Sequence, residues 1–262
     1  PVLNISPGGF WVTQNIFGDP SSKIYISETG KFMLDQSNIV FDAGLVVGDG
    51  SFIRQGIGQI SFADSNEIRG RYQRSHIALG EPIFTPNIAT CELTGSLVER
   101  VSLNVSLSCT DTSNGTEVEM LNLATLADCS AGPFIACVTS ETYDLPSSLD
   151  LIAGDYSQVI LGTPSEISIS ALGQVSGGFD NGIECDITGT ISVINENFNL
   201  YDAELTLSDC LPNIGGQSGR RFEGFFFVRG NGHSIPQQLG FIVSALDELV
   251  PPSMSGTYSE IL

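Results

Sequence analysis

"KIYISETGKFML", Lys23 to Leu34, decides the fold. Ile24, Ile26, Phe32 and Leu34 fall at alternate positions on either side of a Glu-Thr-Gly turn. Period-two alternation broken by a tight turn is a β-hairpin with one face buried. The same pattern recurs along the chain between glycine, asparagine and aspartate punctuation. In "FNLYDAELTLSDC" Leu200, Ala203, Leu205 and Leu207 alternate, with a phase slip near Tyr201 that reads as a bulge. Only "ALDELV", from Ala245, reads as a helical turn. The chain is therefore all-β.

Outward from this hairpin, the sequence repeats itself. "IYISETGKF" (Ile24 to Phe32) matches "ISISALGQV" (Ile167 to Val175) as apolar, x, Ile, Ser, x, x, Gly, x, apolar. Each stretch follows a Gly-x-aromatic opening, Gly9 to Trp11 and Gly154 to Tyr156. A tandem duplication near residue 145 accounts for both matches. It predicts a domain over 1–140, a linker over 141–152 overlapping the proline- and serine-bearing "CVTSETYDLPSSLD", and a domain over 153–262. Each half offers about eight short strands joined mainly by short turns, which suits a closed antiparallel barrel or meander of lipocalin-like type better than a sandwich. Trp11, the sole tryptophan, is read as a core plug on the first strand.

A second echo does not fit that alignment. "CELTGSL" (Cys91 to Leu97) and "CDITGTI" (Cys185 to Ile191) are nearly one phrase, yet the first lies far deeper in its half than the second. The phrase is read as one local solution used on two different strands. The six cysteines include no CxxC pair, so a disulfide framework in an oxidising compartment is expected. Sequential pairing is favoured: Cys91 with Cys109, Cys185 with Cys210, and Cys129 with Cys137.

The 262 residues carry thirty acidic and ten basic groups, a net charge of -20. That field repels phosphates and argues against nucleic acid as a partner. No apolar run reaches the roughly 20 residues needed to span a bilayer. The chain opens at Pro1 without methionine, which reads as a removed signal peptide.

"CDITGTISVINENFNLYDAELTLSDC", the Gly-x-[Trp/Tyr] openings and "GQISFADSNEIRGRY" together resemble two-domain lipoproteins or secreted envelope proteins of proteobacteria. The resemblance implies a secreted, periplasmic or outer-membrane-anchored protein with a lipid anchor upstream of Pro1. Its motifs are structural and carry over no catalytic residue.

Candidate sites are few. In "GRRFEGFFFVRG" alternation puts Phe222, Gly224, Phe226 and Val228 on the core face. Phe225 and Phe227 then face outward, where something must cover them. In "EIRGRYQRSH" Ile68, Gly70 and Tyr72 face in, leaving Arg69 and Arg71 outward as the basic cluster, with Arg74 and His76 nearby. "DTSNGTEVE" groups Asp111, Asn114 and Glu117 as weak calcium candidates, although Asn-Gly is first a hairpin turn signal. His76 and His233 are the only histidines, and no nucleophile elbow is present. The expectation is a non-enzymatic binding or structural module with no cofactor beyond possible calcium, whose partner is an envelope protein, a surface glycan or a small apolar ligand. An extracellular hydrolase acting on polysaccharide or ester, and an adhesin or surface-assembly component, are the alternatives.

Overall fold

The structure is a computed structural model. It describes residues 7–13, 21–38, 41–42, 46–47, 52–62, 66–78, 87–99, 101–111, 115–125, 143–160, 163–179, 185–210, 218–229, 238–245 and 253–260. The chain divides into two compact units between residues 140 and 141.

The first unit contains β1 (Gly9–Thr13), β2 (Ser21–Ile26), β3 (Lys31–Asn38), β4 (Phe41–Asp42), β5 (Val46–Val47), β6 (Phe52–Phe62), β7 (Glu67–Ala78), β8 (Asn87–Val98), β9 (Ser102–Asp111) and β10 (Gly115–Thr125). Eight of these close a barrel in the order β1-β10-β9-β8-β7-β6-β3-β2. Trp11 makes the closure, pairing with Ile24 on one side and Thr125 on the other. The sequence suggests one long strand over 31–42; β3 instead ends at Asn38, and β4 and β5 form a separate two-stranded ladder.

The second unit contains a short helix α1 (Leu149–Ile152), then β11 (Gly154–Ile160), β12 (Thr163–Ile169), β13 (Gln174–Phe179), β14 (Cys185–Val193), β15 (Tyr201–Ser208), β16 (Arg221–Arg229), β17 (Gln238–Ala245) and β18 (Ser253–Glu260). Its eight strands pair in sequence order, and the barrel closes through Tyr156 with Glu260 and Ser157 with Ser259. Both units are thus antiparallel eight-stranded barrels, the architecture that leaves no sheet edge open.

The repeated hairpin is the same object twice. The Ser27 N–H donates to Lys31 O at 2.9 Å, the Gly30 N–H donates to Ser27 O, and Gly30 O accepts from the Ile60 N–H on the barrel's fourth strand. In the second unit Ser170, Gln174, Gly173 and Ile191 make the same three bonds. The glycine is required twice over: φ is +83° at Gly30 and +74° at Gly173, and a Cβ there would collide with the carbonyl of Ile60 or Ile191. The Gly-x-aromatic openings are also equivalent, with the rings of Trp11 and Tyr156 leaning back over Gly9 and Gly154.

The cysteine phrase sits on the sixth strand of the first barrel, β8, and on the fourth strand of the second, β14. Its glycine solves one problem in both places. Gly95 and Gly189 face inward where the next strand crosses so closely that a Cβ would strike the carbonyl of Asn104 or of Glu204. Side-chain-free positions of this kind let barrel strands bend. The disulfides are Cys91–Cys109 and Cys185–Cys210, each with its Cα atoms 4.1 Å apart. Cys129 and Cys137 lie outside the described residues. Replacing both Cys185 and Cys210 by alanine opens a loop with a sequence separation of 25. The expected loss is about 3 kcal/mol on the loop-entropy account, read as a lower urea midpoint with an m-value that rises, because the unlinked unfolded chain exposes more surface.

The two interiors differ. The inward residues of the second barrel, among them Tyr156, Ile187, Tyr201, Leu205, Phe226, Leu239 and Val243, form one apolar cluster that Ile152 of α1 joins from the end. The segment expected as linker packs onto this end. Tyr143 stacks on Phe198 at 5.2 Å, the Ser147 N–H donates to Glu196 O, and the Tyr201 hydroxyl donates to Ser148 O at 3.2 Å. Burial pushes the Tyr201 pKa up to about 12. In the first barrel the apolar cluster built on Trp11, Phe32, Ile68, Leu97, Leu103 and Leu123 gives way toward one end to charged side chains.

Candidate functional site

The charged layer arises because the inward phase of several strands changes from apolar to polar partway along. On β10, Leu121 and Leu123 share a face with Glu117 and Glu119; on β7, Ile68 and Tyr72 share one with Arg74; on β3, Phe32 and Leu34 share one with Gln36. Arg54 of β6 is in direct register with Gln36. These side chains form one chain across the lumen. The Gln36 Nε2 donates to Ser22 Oγ at 3.0 Å and to Glu119 Oε1 at 2.9 Å. Arg54 reaches Glu119 at 3.5 Å and Glu117 at 2.8 Å, and the Arg74 Nη2 donates to the other oxygen of Glu117 at 2.8 Å. Arg54 also lies over the Phe52 ring, 4.3 Å from its centroid.

The electrostatics follow from this pairing. Burial alone would raise the Glu117 pKa, but the hydrogen bond from Arg74 and the charge of Arg54 outweigh it and hold the carboxyl below its ordinary value. Beneath the layer, burial raises the Tyr72 phenol well above its ordinary range, and its hydroxyl lies 3.5 Å from Cys109 Sγ. Gln36 is fully buried and Arg74 is 5% exposed. The Gln36 Oε1, Arg54 Nε and Arg74 Nε atoms nevertheless have no hydrogen-bond partner.

Glu117, read as a calcium candidate, is paired with two guanidinium groups on the inward phase of its strand, with its side chain still 44% exposed. Asn114 and the side chain of Asp111 lie outside the described residues.

Arg69 and Arg71 face outward as expected, with Arg74 on the inward face of the same strand. Both line a depression of about 840 Å³ on the first barrel, with Gln59, Ser61, Glu67, Glu92 and Thr94 around them. Each arginine has a carboxylate beside it, Arg71 with Glu92 at 3.5 Å and Arg69 with Glu67 at 4.0 Å, all well exposed. The basic cluster is thus electrically compensated, and such surface pairs contribute between 0 and about 1 kcal/mol each.

Phe222, Phe226 and Val228 belong to the core of the second barrel, and Phe225 and Phe227 take the opposite face, as alternation predicts. That opposite face is buried within the chain: Phe225 is 0% exposed, Phe227 4% and Ile242 0%. The Phe227 ring covers Gly240 of β17, which has no side chain to push it away. These two phenylalanines are therefore structural contacts, not an exposed docking patch. His76 sits on β7 with its ring 5.7 Å from that of Phe52, and His233 lies outside the described residues.

Among the described residues no helix is long and apolar enough to cross a membrane, which leaves strands unaddressed. No family model, curated protein or solved structure matches the chain.

Proposed function

We propose that the protein is a non-enzymatic binding module of an oxidising compartment, secreted, periplasmic or anchored to the outer membrane. Its first barrel takes a neutral glycan chain on the outer face of β6, β7 and β8. The observation that carries this reading is the depression of about 840 Å³ lined by Arg69, Arg71, Glu67, Glu92, Gln59, Ser61 and Thr94. Planar amide, guanidinium and carboxylate groups around a hollow suit the alternating donors and acceptors of sugar hydroxyls. The compensated charge favours an uncharged chain over an anionic one. Closed, stapled barrels supply a frame that needs no reorganisation on binding. The two disulfides and the acidic composition support the compartment.

The test is binding to immobilised neutral tri- and tetrasaccharides. Wild-type protein is expected to retain at least one of them, and the Arg69→Ala/Arg71→Ala variant to bind at least about tenfold more weakly, a change of about 1.4 kcal/mol. Its melting temperature should be unchanged, because both arginines are solvent-exposed pairs. Retention of no glycan, or equal binding by the variant, overturns the reading.

A further inference from the structure

We propose that the charged half of the first barrel's lumen is a second binding site, for a small uncharged molecule carrying a carboxamide group. This inference does not rest on the glycan reading, since it concerns the inward face of the barrel and shares no residue with the outer depression. Native interiors satisfy their buried polar atoms almost completely, and each exception calls for an explanation. Here three exceptions fall together. Gln36 Oε1, Arg54 Nε and Arg74 Nε have no partner, and their residues stand on three neighbouring strands of one wall. Gln36 is in register with Arg54, and Arg74 is in register with Gly56, two residues further along β6.

The three atoms define what would complete them. The two Nε–H groups need an acceptor, and Gln36 Oε1 needs a donor. A carboxamide offers both, with its carbonyl oxygen toward the arginines and its N–H toward Gln36. The opposite wall fixes the net charge of the guest. Glu117 and Glu119 on β10 neutralise Arg54 and Arg74, so a guest with net charge would find no counter-ion there. Tyr72, two residues before Arg74 on the same inward face of β7, is buried beside it. Ser22 and Glu119 keep the Gln36 amide nitrogen turned away from the guest, which leaves its oxygen as the free acceptor.

The experiment uses the full chain and acetamide as probe, with acetate as the charged control. Arginine Nε–H resonances are followed by NMR. The Arg54 and Arg74 signals are expected to shift saturably with acetamide, at an apparent affinity at least about tenfold above that for acetate. Gln36→Leu, which removes the acceptor but keeps an apolar side chain of similar size, should abolish the difference between the two probes. The wild-type comparison stands even if that variant folds poorly. Absence of a saturable shift overturns the proposal, as does an equal response to acetate. So do Nε–H cross-peaks to a long-lived water that acetamide leaves unchanged, since the orphaned atoms would then be satisfied by hydration alone.

Discussion

Gly173→Val is expected to destabilise the second barrel by about 2–5 kcal/mol, and Gly30→Val to do the same to the first. Two costs add. A side chain at positive φ costs roughly 1–2 kcal/mol, and Gly173 stands at φ +74°. Forcing a branched side chain against fixed neighbours adds about 1–3 kcal/mol more. The neighbour here is the backbone carbonyl of Ile191, whose own N–H donates to Gly173 O at 2.7 Å, so the turn cannot retreat without breaking that bond. Hydrogen exchange checks the outcome: Gly173→Val should deprotect β12, β13 and β14, and Gly30→Val should deprotect β2, β3 and β6. Leu172→Ser is the control, one residue away in the same turn and 81% exposed. It should change stability by no more than about 0.5 kcal/mol. Equal effects of Leu172→Ser and Gly173→Val would show that the shared hairpin is not what holds the strands in register.

Phe225→Ala is the second large effect, expected at about 3–5 kcal/mol by the usual cost of removing a fully buried aromatic ring. The prediction is pointed because Phe225 lies on the face of β16 opposite the barrel interior, where alternation alone would place a solvent-facing residue. It is nonetheless 0% exposed, in register with the equally buried Ile242. Met120 of β10 also faces out of its barrel but is 67% exposed, so Met120→Ala should stay within about 0.5 kcal/mol. A urea titration of the two variants separates them. If Phe225→Ala cost less than about 1 kcal/mol, the burial of that outer face would be energetically idle.

These outcomes bear on what could be read beforehand. The hairpin at Lys23 to Leu34, its copy after Ile167 and the cysteine phrases were legible because their causes are local. A period of two, a glycine forced by positive φ and a pair of cysteines one hairpin apart all leave marks within a few residues. The charged layer leaves no such local mark. Glu117, Glu119, Arg54 and Arg74 look like ordinary surface charge when each is judged by type. The available signal was phase, since each occupies the inward position of its strand, in step with Leu121, Ile60 or Ile68. Asn114 and Gly115 are a turn signal in their own right, and they mask the strand phase of Glu117 two residues on.

The sequence by itself determined that the chain is all-β, stapled and divided into two eight-stranded units that share a hairpin motif, because strand period, turn chemistry and cysteine spacing act over short distances. Only the tertiary structure decided which polar residues meet. Ser22, Gln36, Arg54, Arg74, Glu117 and Glu119 come from five strands and converge because closing the sheet carries β10 across the lumen from β6 and β7. It also decided that one barrel is filled with apolar side chains while the other carries charge in its lumen. The physical reason is that burial belongs to the closed barrel as a whole: an inward phase says where a side chain points, and only the opposite wall says what it finds there.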